Sequence, residues 1–513
     1  MHSLLDDPLF CIRTPDDTTD DRTLPEILHA LSDAGNGVDS FEALQPHQQQ
    51  PWYMLLVQLA AMAVARETGG TVPTTPDGWR TALLALADGT EAAWHLVTPD
   101  LAAPAFLQPP VPEGDLDGFK SDLPTPDQLD MLVTSKSHDV KATRITQPRP
   151  EHWIYALVTL QTMEGYSGLY NYGIARMNGG LGNRPLVGVS PGLSLGERFQ
   201  RDLKVLLNAR TTLAERHEYN ATGCALVWTR RWDGAKGSEL SIRDLDPYFV
   251  EVCRRIRFDA DEDGALTCYR KSTKAQRIDV PDSLNGITGD PWTPIDTEAG
   301  KALTLGGGGF TYQKLHEIFL TGKYQDPPAL KVQTGEDGMM YLVAQTLVRG
   351  QGKTEGLHHR IVPVPANAVS LFRRKSDLEQ LANRAEARIE KAADVQRTVL
   401  YPAIGTLLGG GDTDGVDGDD LRPWLDAFDR AVDDAFFPEL WKSVDLDADA
   451  AEAAWHRVLR EAAETQFHDA EGHAPRTATR YWKALSTAQT IFWGSLRRNL
   501  PAAFEDDEVT SPA

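Results

Sequence analysis

The sequence predicts an α+β protein: a large, irregular, loop-rich N-terminal domain over residues 1–370, a C-terminal antiparallel four-helix bundle over 371–505, and an acidic tail at 506–513. Three observations predict it. At 513 residues the chain exceeds what one ordinary core holds, so it must divide. Beyond residue 370, apolar side chains recur at helical spacing in four separate stretches. Before it, glycine, proline and short β-branched runs alternate with isolated helices. No βαβ rhythm is sustained there, which argues against a doubly wound sheet.

Taken in order, the start Met1–Asp7 is acidic and lacks a long apolar run, so no signal peptide is expected. The stretch Trp52–Ala65 is too short to span a bilayer and carries Gln58; a buried helix across Pro51–Arg66 is the expectation. A second helix is expected at His152–Met163. Candidate strands are Ala225–Trp228, Arg277–Val280 and Met340–Val343. In the bundle, Leu378, Leu381, Ala385, Ile389 and Ala392 mark the first helix, with Ser376…Glu379 reading as a capping box. Leu421, Trp424, Leu425, Phe428, Val432 and Phe436 mark the second. Trp455, Val458, Leu459 and Ala462 mark the third, and Tyr481, Leu485, Ala488, Phe492 and Leu496 the fourth. The acidic loop Gly409–Gly418 only superficially resembles a calcium loop, because Val416 stands where Asp or Asn is needed. It is expected to be a mobile acidic loop.

Composition fits a water-soluble globular protein, with 41% hydrophobic and 24% charged residues. Four scattered cysteines (Cys11, Cys224, Cys253, Cys268) form neither a CxxC pair nor a disulfide framework. A cytoplasmic compartment follows, with no structural zinc, no metal and no cofactor expected. The net charge of −23 argues against a free-standing, non-specific nucleic-acid binder. Positive charge still clusters locally, at Arg198/Arg201/Lys204/Arg210, Arg230-Arg231, Arg254-Arg255/Arg257, Arg270-Lys271/Lys274/Arg277 and Arg373-Arg374-Lys375. Each cluster alone reads as a solvated face. Several meeting on one surface would make a polyanion site.

The segment Arg349–Arg360 contains Gly352-Lys353-Thr354, which invites a phosphate-loop reading. The frame is broken: Leu347 stands where the motif's first glycine belongs, and Ile361-Val362-Pro363-Val364-Pro365 cannot supply the following helix. What remains is a glycine-flexible loop presenting Gln351, Lys353, Thr354, His358, His359 and Arg360, suited to a polyanion or base edges. On an extended chain the two adjacent histidines point apart, so one is expected inward and one exposed. Lys136–Lys141, followed by Arg144, Thr146, Gln147 and Arg149, reads as a basic loop that holds a phosphate backbone. Gly165–Gly173 and Arg176–Arg184 form a glycine- and tyrosine-rich segment, whose backbone can approach a ligand and whose Asn and Arg can read bases or phosphates. Gly306–Gly309 reads as a plain flexible turn. No nuclease, hydrolase or Rossmann signature is present, so a non-catalytic recognition or scaffold subunit is expected. The alternatives are a nucleotide-dependent enzyme using Gly352-Lys353-Thr354 and a purely structural subunit.

These residues resemble the CasA-type large subunit of type I-E CRISPR surveillance complexes (Cascade). Leu4–Arg13 is similar to the family's opening Leu-Leu/Ile-Asp-x-x-Trp-Ile-Pro-Val-Arg, without the Trp, and Pro104–Gln108 to its Pro-Phe-Met/Leu-Gln. The glycine-rich segment before Arg184-Pro185, and the bundle after an irregular domain, occur in the family's order. The resemblance implies a subunit beside the 5′ handle of the crRNA that reads the PAM in double-stranded target DNA and helps open it for R-loop formation. It implies contacts from the bundle to neighbouring Cascade subunits and help in recruiting a separate helicase-nuclease. It places the handle- and PAM-proximal loop at Arg144–Pro148, with Lys136, Lys141, Arg144, Thr146 and Gln147 toward the handle or backbone. It places the PAM-facing glycine loop at Gly165–Gly173 (Gly165, Gly168, Asn171, Gly173). It makes Gln351, beside Gly352, the strand wedge and Lys353 a phosphate contact.

Overall fold

A computed structural model describes residues 2–33, 37–132, 144–179, 182–235, 240–350, 352–413, 416–474 and 477–505. The chain separates into two compact units. One comprises Met1–Phe310, Lys323–Glu336 and Met340–Ile361; the other comprises Thr311–Gly322, Asp337–Met339 and Val362–Ala513.

The first unit is built round helix α1 (Gln49–Glu67), which is buried on every side from Gln50 to Val64. Pro51 sits in its first turn, where a missing N–H costs little. Its mid-helix polar residue is satisfied by the core itself: Gln58 donates to the Tyr248 and Phe249 carbonyls at 3.0 and 3.2 Å. Trp52 packs edge-on against Tyr155 of helix α2 (Pro150–Met163) and lies 5.1 Å from Phe10. Helix α3 (Leu195–His217) is anchored by Arg210, which pairs with buried Asp246 at 2.6 Å.

Two small sheets frame the site. Strand β1 (Lys120–Leu123), β3 (Arg255–Ala260) and β4 (Leu266–Lys271) form one, with β4 central and antiparallel to both. Strand β2 (Leu186–Ser190), β5 (Met340–Gly350) and β6 (Lys353–Val364) form the other, β5 again central and antiparallel to β2 with Val343 opposite Gly188. The other two candidate strands are shorter than expected: Cys224–Leu226 passes into a 3₁₀ turn, and Ile278–Asp279 is a two-residue strand.

The expectation of a flexible loop at 349–360 is corrected. Lys353–Val364 is a strand, and Gly352 (φ +71°) takes the turn that precedes it. Along β6 exposure alternates residue by residue, as a pleated strand requires. His358 is accordingly half-buried and His359 exposed.

In the second unit, helix α4 (Tyr312–Phe319) is laid against the bundle, where the Tyr312 amide donates to Asp433 at 2.5 Å and its hydroxyl to Asp429 at 3.2 Å. Helix α5 (Lys375–Val395) runs through a π turn at Gln396–Leu400 into α6 (Tyr401–Gly409). The wider turn stands just before Pro402, whose ring and missing N–H disturb regular helix bonding. Helices α7 (Gly418–Lys442), α8 (Ala448–Glu471) and α9 (Ala478–Asn499) complete the helical set. Phe467 and Phe492 stack at 4.3 Å and Phe436 meets Trp455 at 6.0 Å, which joins α7, α8 and α9 into one core. The capping box expected at Ser376…Glu379 does not form. The helix starts at Lys375, with Arg374 at its N-cap, so the Ser376 hydroxyl is inside the first turn and donates to Asp377 instead. In the acidic loop, Asp417 caps α7. Among the described residues, no group of three or more His, Cys, Asp or Glu side chains is placed to hold a metal, and no helix is long and apolar enough to cross a membrane.

Candidate nucleic-acid interface

The glycine loop begins where α2 ends. The chain leaves at Glu164 and returns at Ile174, whose amide donates to the Glu164 carbonyl at 3.0 Å. Between them Gly165 and Gly173 press backbone to backbone: a Cβ added to Gly173 would lie 2.5 Å from the Gly165 carbonyl carbon. Only glycine fits that neck. Arg254 closes it, donating to the Tyr172 and Gly165 carbonyls. Beyond the neck, the Ser167 amide donates to the Asn171 carbonyl at 2.9 Å and the Asn171 amide to the Gly168 carbonyl at 3.0 Å. The loop is fastened sideways as well, since the Thr273 amide donates to the Tyr170 carbonyl at 3.1 Å and the Tyr172 hydroxyl to the Lys274 carbonyl at 3.1 Å. The four glycine-loop residues singled out in the sequence thus divide by role. Gly165 and Gly173 make the neck, Gly168 (φ +110°) turns the tip in open space, and half-buried Asn171 faces a cleft.

That cleft, of about 750 Å³, lies between the glycine loop and the β1–β4–β3 sheet. Ser167 and Asn171 line one side, and Lys120, Arg254, Arg255, Arg270, Lys271 and Arg349 bring six cations to it against two carboxylates, Asp130 and Glu164. Arg255 and Lys271 share Glu113 at 3.1 and 3.3 Å. Both cations also lie over the Phe119 ring. Lys120 is exposed and has no ion-pair partner among the described residues. Arg349, near the end of β5, bonds to the Met131 carbonyl and approaches Glu164 at 3.5 Å, joining the hairpin to the cleft wall. Two of the sequence's cation clusters therefore converge in part on a single surface of a chain whose net charge is −23.

Other cations in those clusters are structural. Arg257 is fully buried, donating to Thr98 and to the Ala103 and Asp100 carbonyls, and burial pulls its guanidinium down to about 10. Arg277 spans the Arg230 and Arg231 carbonyls at 2.6 and 2.7 Å. Arg201 is held by Glu336 at 2.9 Å. The sequence reading that Arg176 and Arg184 reach a ligand is corrected: they are 1% and 3% exposed. Arg176 lies 4.0 Å over the Phe249 ring, and Arg184 pairs with Asp290 at 2.6 Å. Beside them Glu251 accepts from the Ala175 amide; burial outweighs that bond and the nearby arginines, pushing its carboxyl up to about 7.

At the hairpin, Lys353 is exposed and pairs with Glu355 at 3.1 Å. The Thr354 hydroxyl donates to the Leu132 carbonyl at 3.3 Å. Gly352-Lys353-Thr354 enters a strand, so no helix N-terminus faces its amides and phosphate-loop geometry is absent. Gln351, the expected wedge, lies outside the described residues, as do Lys136 and Lys141 and the tail 506–513. Arg144, Thr146 and Gln147 are exposed in the approach to α2. There Arg149 pairs with Asp21 and Glu151, both at 3.1 Å. Sequence reasoning missed Lys120, which stands alone in its segment, and the part Arg349 plays in the cleft wall.

The segments that carried the resemblance have structural duties. Leu4 bonds through its backbone to Trp94 and Leu24. Buried Gln108 accepts from the Phe258 amide at 2.8 Å and donates to the Leu96 carbonyl at 2.8 Å, locking β3 onto the core.

Solved structures share this architecture over nearly the whole chain. CasA from Thermus thermophilus superposes with a TM-score of 0.62 at 16% identity, covering 97% of this chain and 99% of that one. The chain has the CasA fold. The CRISPR-associated protein Cse1 from Acidimicrobium ferrooxidans gives a TM-score of 0.63 at 13% identity, with 98% and 99% covered. Thermobifida fusca Cse1 gives 0.62 at 15% identity, with 98% of each chain covered. No protein-family model and no curated sequence matches the chain. At these identities the likeness is one of fold, and it agrees with the sequence-level resemblance to CasA-type subunits.

Proposed function

We propose that this chain is the non-catalytic large subunit of a type I-E Cascade complex, in which it reads the PAM in duplex DNA and helps open the target for pairing with the crRNA. The observation that carries the reading is the cationic cleft, walled by a tethered glycine loop and by the end of the β5–β6 hairpin, on a CasA fold. The exposed Lys120 and Arg270 and the half-buried Lys271 on the cleft lining suit a phosphate backbone, which positions a duplex without reading it. The glycine loop brings main chain close enough to probe a groove, and Gln351, with Gly352 and Lys353, is assigned as the strand-separating element. The acidic remainder of the chain suppresses stray DNA binding, so recognition depends on assembly with the other Cascade subunits and the crRNA. The exposed Arg144, Thr146 and Gln147, with Lys136 and Lys141, are assigned to the crRNA handle or nucleic-acid backbone. The bundle is assigned to neighbouring subunits and to helping recruit the helicase-nuclease.

The test is a reconstituted complex challenged with duplexes that differ only in the PAM. Gln351→Ala with Lys353→Ala should abolish PAM preference while the complex still assembles. Lys120→Glu with Lys271→Glu should weaken binding to every duplex and flatten its salt dependence, by about 0.9 in log–log slope for each phosphate no longer neutralised. Undiminished binding by both variants refutes the assignment. Binding without any PAM preference in the unaltered complex would instead mark a purely structural subunit.

A further inference from the structure

The glycine-loop tip carries apolar side chains that the core does not use. Leu169 is 65% exposed, Tyr170 45% and Tyr166 39%. A single exposed leucine or tyrosine needs no explanation, but three within five residues at the end of a tethered loop do. The backbone holds them out against a conformational preference: Tyr170 sits at φ +69°, a left-handed conformation that aromatic residues seldom adopt. It is kept there by the Ser167–Asn171 and Asn171–Gly168 turn bonds and by the Thr273 amide on its carbonyl. The neck at Gly165 and Gly173, closed by Arg254, ties the tip at its base.

We infer that Leu169 and Tyr170 form an apolar wedge that inserts at a base step of duplex DNA seated in the neighbouring cleft. This rests on the reading of that cleft as a duplex-binding surface. Its support is charge complementarity: Ser167 and Asn171, on either side of the tip, line the same cleft as Lys120, Arg270 and Lys271. Cations that grip phosphates beside an apolar tip match the chemistry of side chains that partly unstack and kink a duplex. A stacked base offers the Tyr170 ring a sequence-tolerant partner.

The test uses the reconstituted complex with crRNA and a PAM-containing duplex bearing a fluorescent adenine analogue beside the PAM. Leu169→Ser with Tyr170→Asn removes the apolar tip, and Asn tolerates the left-handed backbone. We expect normal assembly, loss of the fluorescence rise that reports unstacking, and binding weakened by about tenfold, the scale of one base–aromatic stack. An unchanged fluorescence rise and affinity, in a series where Lys120→Glu with Lys271→Glu weakens binding, overturns the wedge and leaves the cleft reading standing. If the charge-reversed protein binds normally, the cleft reading itself fails and the wedge with it. If the tip variant no longer assembles with the other subunits, as judged by mass photometry, the tip is a protein contact and the inference is overturned.

Discussion

Replacing Gly173 with alanine should open the neck of the glycine loop. The new Cβ would stand 2.5 Å from the Gly165 carbonyl carbon and 2.7 Å from both the Gly165 Cα and the Tyr166 amide nitrogen. These are backbone atoms that cannot rotate aside, so the two chain segments must part by roughly 1 Å to reach an ordinary carbon contact. Overpacking of this kind costs about 1–3 kcal/mol. The strain falls on the Ile174–Glu164 bond and on the carbonyls that Arg254 holds. With a cost near 2 kcal/mol, the Ile174 amide should exchange its hydrogen about 30-fold faster, while amides in α1 are unaffected. Gly168→Ala is the control: the space around Gly168 is open, but its φ of +110° costs a side chain about 1–2 kcal/mol. Its effect should be confined to the Asn171 amide at the tip. If Gly173→Ala leaves exchange at Ile174 unchanged, the neck is not the constraint that shapes the loop.

Arg254→Ala should free the Gly165 and Tyr172 carbonyls and loosen the same neck, weakening PAM-duplex binding by about 1–3 kcal/mol; full affinity would count against the clamp. Glu251 makes stability depend on pH. Between its ordinary 4.5 and its folded value of about 7 the folded chain keeps a proton that the unfolded chain releases, so stability falls as pH rises through that window. The drop is about 3 kcal/mol in total, and Glu251→Gln should remove it from denaturant titrations; an unaltered pH profile sinks the assignment. Phe467→Ala removes one ring of the stacked pair with Phe492 and should destabilise the helical unit by about 3–5 kcal/mol, read as a lower thermal midpoint. No shift would mean that this stack is not central to the bundle core.

The bundle helices are legible in the sequence because each buries a stripe at regular spacing, visible as Phe428, Val432 and Phe436 or as Ala488, Phe492 and Leu496. Helix α4 is not. Its partners Asp429 and Asp433 lie more than a hundred residues away, and a segment of eight residues has too short a period to announce itself. The β6 strand is hidden by Gly350, Gly352 and Gly356, which read as flexibility although the alternation beyond them is regular. The cation clusters are visible, but not their sorting. Arg255 and Arg257 are two residues apart on one strand and both are buried, yet Arg255 reaches the cleft lining, held by Glu113 and the Asp233 carbonyl, while Arg257 is committed to Thr98 and the Ala103 and Asp100 carbonyls. That distinction depends on Glu113, Phe119 and Thr98, all distant in sequence. Gly173 likewise reads as a ligand-facing glycine, because nothing local shows that its neighbour is Gly165.

The neck also separates two kinds of evolutionary freedom. Residues 166–172 join the rest of the unit through two touching glycines, one guanidinium and two hydrogen bonds to Thr273 and Lys274. A change in the tip therefore need not propagate into α2 or the strands, because these ties run through main-chain atoms, one arginine and the Tyr172 hydroxyl rather than through packed core side chains. The loop behaves as an exchangeable cartridge: its apolar and hydroxyl-bearing residues can be rewritten while the socket, fixed by Gly165, Gly173 and Arg254, stays the same.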